Sequence, residues 1–142
     1  MIFVFGLLPT LDAVFIGVDY AAVYYLNELQ LREAQKLPKS KATAMSGPII
    51  AGIPMDWSRT LLAGLLDKDQ PIASSVSYRP VPWQPVGNNQ TLDFWFVEIK
   101  TTVSFHPFLT IPFFTRVPAL GAPISVSVSG RRPVENNRFL SQ

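Results

Sequence analysis

From Met1 to Asn27 the chain is almost wholly apolar and aromatic, and only Asp12 and Asp19 interrupt the run with charge. The two acids are seven residues apart, close to two turns of α-helix, so both fall on one helix face. A bilayer core takes about 20 mostly apolar residues as a helix, and this run is long enough. Each acid near a helix centre costs roughly 2.5–3.5 kcal/mol of insertion free energy. A helix that turns its acidic face toward other protein avoids most of that cost, and the expectation is a membrane or filament helix built for assembly. The same letters also fit a core helix of a soluble domain. In that reading Asp12 and Asp19 face water, and Val14, Phe15, Val18, Ala21, Ala22 and Tyr25 form the buried stripe. A cleaved secretory signal is the weakest fit, because no basic residue precedes Ile2 and no small-residue cleavage site follows an unbroken apolar run.

The helical pattern continues to Leu37, where Pro38 is expected to stop it. Glu28 and Arg32 stand four apart, in the order that favours an ion pair along a helix. Residues 38–56 hold no sustained period and are punctuated by Gly, Pro and Ser, so they read as a linker. Asp56 is a credible N-cap for a short amphipathic helix over 57–67, with Trp57, Leu61, Leu62, Leu65 and Leu66 as its apolar stripe.

From Pro71 the period changes to two. Ser75–Arg79 reads as a strand, followed by a stiff Pro-rich segment and a turn at Gly87-Asn88-Asn89. The strongest strand is Leu92–Phe105, with Trp95, Val97, Ile99, Thr101, Val103 and Phe105 on one face. Phe94 and Phe96 on the other face suggest that its first end is covered on both sides. A second strand, Pro123–Ser129, alternates Ile124, Val126 and Val128 with serines, and the two are expected to pair antiparallel. The intervening loop is unusually apolar for a connection. Phe108, Ile111, Phe113 and Phe114 are its candidates for contact with a neighbouring subunit or lipid. The organisation is thus α+β: an N-terminal hydrophobic helix with an amphipathic extension (1–37), a linker (38–56), and a small antiparallel β-rich domain with one short helix (57–142).

Composition sharpens this. The 142 residues are 48% hydrophobic and only 15% charged, against about 25% charged in ordinary globular chains. That deficit suits a protein buried in a membrane or an assembly. Thirteen prolines exclude a continuous helical bundle, and a net charge of +2 gives no nucleic-acid footprint. With no cysteine, thiolate chemistry and disulfides are excluded. The one histidine, His106, has no cluster of acids in sequence around it, and no phosphate loop, nucleophile elbow or zinc-binding helix motif occurs. No catalytic residue, metal, cofactor or small-molecule substrate is therefore expected. Tyr20, Tyr24 and Tyr25 lie where the helix would leave a bilayer and read as interfacial anchors. Arg32, Lys36, Lys39 and Lys41 follow them, which taken alone would put that side in the cytoplasm.

The two ends also resemble a known family. Leu7-Leu8-Pro9, Gly17-Val18-Asp19-Tyr20 and Tyr24-Tyr25 are similar to the N-terminal helix of TadE-like minor pilins of tight-adherence pilus systems. Val103-Ser104-Phe105-His106-Pro107-Phe108 looks like that family's strand running into a proline- and aromatic-rich loop. Ile124 to Glu135 resembles its closing strand, which ends in small residues and an Arg–Glu pair. The resemblance covers roughly the first 35 and last 45 residues and implies a non-enzymatic structural subunit. It would be held in the cell membrane by one helix, with its C-terminal domain extracytoplasmic. Asp12, Asp19, Tyr20 and Tyr24 would then form the assembly face toward other membrane or pilin-like subunits. Two rivals stand beside it: an accessory single-helix subunit of a larger electron-transfer or photosynthetic membrane complex, and a soluble α+β binding module.

Overall fold

A computed structural model describes residues 3–64, 72–107, 115–118 and 121–135. A π-helical turn, Phe3–Leu7, leads into helix α1, Leu8–Ala34. Pro9 sits in the first turn of α1, directly after the π-helical turn. At 1.5 Å per residue the 27 residues of α1 rise about 40 Å. The helix closes with a tightening turn through Leu37, just ahead of Pro38. Four short helical pieces follow: α2 (Lys39–Ala42), a π-helical turn (Pro48–Gly52), α3 (Ile53–Ser58) and α4 (Leu61–Gly64). Strands β1 (Ala73–Trp83), β2 (Leu92–Phe105) and β3 (Ile124–Pro133) form one antiparallel sheet in the order β1-β2-β3. The α+β class, the long apolar helix and the β2–β3 pairing are as the sequence pattern indicates.

The faces of the sheet follow the alternation. Val97, Ile99, Thr101, Val103 and Phe105 of β2 are buried, as are Val126 and Val128 of β3, while Ser125, Ser127 and Ser129 face water. The C-terminal half of α1 lies across this buried face, with β3 running in the same direction as the helix. Ala22, Val23 and Leu26 join Trp57, Val103, Phe105, Val126 and Val128 in one apolar cluster. Leu31 and Ala34 join Ala42, Ile49, Val97 and Ile99 in a second.

Register explains the two prolines inside β1. Val134 donates its backbone N–H to the Trp95 carbonyl, so residues 95, 97, 99 and 101 aim their hydrogen-bonding groups at β3. Alternation then aims 94, 96, 98 and 100 at β1. Pro80 and Pro82 stand opposite Trp95 and Asp93, and both turn their nitrogen away from the sheet. They remove no ladder bond, and they blunt an edge that would otherwise offer free donors. This is why the strand runs on through the Pro-rich segment, well past the Arg79 limit expected from its period.

Four further expectations change. Residues 38–56 form helical turns rather than an open linker, because Ala42 and Ile49 are fully buried under the second cluster. Asp56 is not an N-cap: helix formation starts earlier, at Pro48, and Asp56 lies within α3. Residues 65–67 of the expected helix fall outside the described residues. Glu28 turns from Arg32 to Arg132 of β3, 2.6 Å from its guanidinium, since that pair also ties the helix to the sheet. Phe94 is half exposed rather than covered, and packs edge-on against the exposed Trp83.

Helix and sheet meet most closely at Gly130. A β-carbon there would stand 2.7 Å from Leu31 Cδ1 and 2.8 Å from Asn27 Oδ1. Leu31 can turn aside, but Asn27 is held by three hydrogen bonds to the sheet. Gly130→Ala is therefore expected to lower unfolding free energy by about 1–3 kcal/mol, the range of a small-to-large change in a packed interior. Urea unfolding followed by circular dichroism measures it, with an unchanged midpoint the contrary result.

Candidate assembly helix

The C-terminal half of α1 is fastened to the sheet by polar groups as well as by its apolar clusters. Asn27 and Gln30, both fully buried, are one turn apart on the face toward β2. The Asn27 amide donates to the Ile99 carbonyl (2.9 Å), Thr101 Oγ1 (3.0 Å) and the Val128 carbonyl (3.3 Å). Gln30 donates to the Ile49 carbonyl (2.7 Å) and Ser74 Oγ (2.8 Å), and accepts from the Thr101 hydroxyl (2.6 Å). These bonds join α1 to β1, β2, β3 and the π-helical turn at one point of the core. At the far end Arg132 binds Glu28, and Glu135 accepts a bond from Gln35. Sequence reading missed Asn27 and Gln30, although two amides inside an apolar helical run are a signal for a buried polar clamp.

The N-terminal half of the same helix is differently placed. Among the described residues, no side chain before Ala22 belongs to either apolar cluster. Phe5, Leu7, Leu11, Val14 and Val18 are exposed, and with Ala21 and Tyr25 the last four follow spacings of four and three along one face. Beside them run Ala13, Gly17 and Ala21, and a β-carbon added at Gly17 would meet nothing within 4 Å. The whole helix, Phe5–Ala34, is long and apolar enough to cross a membrane. The part from Phe3 to Ala21 rises roughly 28 Å, against a hydrocarbon core of about 30 Å.

The sequence-derived assembly residues separate into two groups. Tyr20 and Tyr24 are about half exposed, at 53% and 52%, where the helix enters the apolar clusters. Asp12 and Asp19 are 3% and 6% exposed, on the face directed at the body of the protein. This reverses the soluble-helix reading for the acids and for Val14, Val18, Ala21 and Tyr25, although Ala22 of that stripe is buried, and it also takes both acids off a face open to other subunits. Burying carboxylates while leaving valines in the open is unfavourable in water and favourable in lipid or against another apolar surface. Phe108, Ile111, Phe113 and Phe114 lie outside the described residues. No group of three or more potential metal-ligating side chains occurs among the described residues. No protein family, curated protein or solved structure matches the chain.

Proposed function

We propose that the protein is a non-enzymatic structural subunit of a membrane-anchored assembly, resembling TadE-like minor pilins. It assembles through the exposed apolar face of the N-terminal half of α1. The observation that carries this reading is a 27-residue helix that enters the apolar clusters at Ala22, among the described residues, with Leu11, Val14 and Val18 exposed along one face before that point. Exposed valine and leucine on a helix of membrane-spanning length call for lipid or partner helices. The small-residue flank Ala13-Gly17-Ala21 lets another helix backbone approach closely. Tyr20, Tyr24 and Tyr25 sit at the boundary of that N-terminal half, as interfacial aromatic residues do. In this reading the sheet domain lies outside the cytoplasm.

Fractionation with site-specific photo-crosslinking tests it. A photoreactive residue at Val18 or Tyr24 is expected to capture membrane subunits, whereas one at Ser77, on the outer sheet face, is not. Recovery of the crosslinked species with sheared filaments supports the pilin-like role. Recovery in a larger pigment- or haem-bearing complex replaces it with the accessory-subunit role. Quantitative recovery in the aqueous fraction without detergent rejects both.

A further inference from the structure

The exposed stripe of α1 runs, at Tyr25, into a groove between α1 and α3. The groove has a volume of about 480 Å³, within the size range of small-ligand sites. Leu29, Ile53 and the buried Trp57 give it an apolar wall, and Arg32, Glu33 and Asp56 stand around it. Arg32 forms no ion pair among the described residues, because its helical neighbour Glu28 is bound to Arg132. The groove thus offers one guanidinium and two carboxylates above an apolar wall.

Its height matters. If Tyr25 marks the end of the hydrocarbon, Leu29 lies about 6 Å and Arg32 about 10 Å further along the helix axis. That interval is the headgroup layer of the bilayer. We infer that this groove binds a zwitterionic phospholipid of the ethanolamine type, drawn from the membrane that holds α1. The phosphate meets Arg32, the primary ammonium meets Glu33 and Asp56, and the glycerol and upper acyl carbons lie on Leu29, Ile53 and Trp57. Charge complementarity selects this occupant. An anionic headgroup would face two carboxylates against one guanidinium, and a choline headgroup has no N–H to donate to them.

The inference rests on the membrane anchoring proposed above, and one experiment separates the two. The full chain is incorporated into nanodiscs of equal phosphatidylethanolamine, phosphatidylglycerol and phosphatidylcholine, released in mild detergent, and weighed by native mass spectrometry. Phosphatidylethanolamine is expected to be retained about tenfold over either other lipid, a ratio within reach of one or two charge-assisted hydrogen bonds. Arg32→Ala is expected to abolish retention. Glu33→Gln/Asp56→Asn is expected to remove the preference over phosphatidylcholine. Leu29→Trp, which fills the groove from the helix side, is expected to exclude the lipid with circular dichroism unchanged. Equal retention of the three lipids by the unaltered chain, or full retention by Arg32→Ala, overturns the inference and leaves the anchoring intact. Failure of the chain to enter nanodiscs overturns both.

Discussion

Val14→Lys/Val18→Lys is expected to move the protein out of the membrane fraction while leaving its sheet folded. Val14 and Val18 are 58% and 38% exposed and belong to neither apolar cluster, so lysine at these positions disturbs no core neighbour among the described residues. They sit on the exposed face of the N-terminal half of α1, where each lysine adds roughly 2.5–3.5 kcal/mol to the cost of insertion. Together they amount to about 5–7 kcal/mol, or more than a thousandfold in partitioning between membrane and water. Carbonate extraction of membranes reads the partitioning, and far-ultraviolet circular dichroism with urea unfolding reads the fold. Loss of membrane retention at an unchanged unfolding midpoint is the expected pair of results. Retention of the double variant in membranes would show that this face does not contact lipid. A stability loss of several kcal/mol would show that these valines are covered by the protein itself.

The contrast between the two halves of α1 also marks how far the sequence could be read. Strand β2 was legible because one face alternates strictly from Trp95 to Phe105, and a period of two cannot be mistaken when one side is buried. The buried face of β3 followed from the serine–valine alternation in the same way, although the strand runs on past Ser129 to Pro133. The helix was legible by length and hydropathy, but which side of it faces the sheet was not. An apolar run has no amphipathic contrast from which to read an orientation, so both a wet and a buried acidic face fitted the letters. The buried side is set by Asn27, Gln30 and Gly130, three residues whose partners lie far away in sequence. The same holds for residues 38–56. Their helical turns are held by tertiary burial of Ala42 and Ile49 and by the Gln30 bond to the Ile49 carbonyl, not by local propensity. Likewise, the prolines of β1 looked like a strand terminator until the ladder showed which way their nitrogens point.

Gln30→Leu should have the largest effect on stability among polar substitutions in the core. The side chain joins three elements at once: it accepts from Thr101 of β2, and donates to Ser74 of β1 and to the Ile49 carbonyl of the π-helical turn. Leucine of similar volume leaves no cavity, so the cost comes from polar groups stripped of their partner in a site without water access. The Thr101 hydroxyl loses its acceptor, and the Ile49 carbonyl loses its side-chain donor. At about 1–3 kcal/mol for each buried group left unsatisfied, the substitution is expected to destabilise by roughly 2–4 kcal/mol. Asn27 still donates to Thr101, which couples the two amides. A double-mutant cycle with Thr101→Val should therefore give a coupling free energy of about 0.5–3 kcal/mol, because valine removes the stranded hydroxyl together with its bond. Among the described residues no side chain of α1 before Ala22 bonds to these groups, so Gln30→Leu should lower the urea midpoint without altering membrane retention, the reverse of the Val14→Lys/Val18→Lys pattern. If both variants shifted both readouts together, α1 would behave as one cooperative unit, and its division at Ala22 into a docked half and a membrane half would fail.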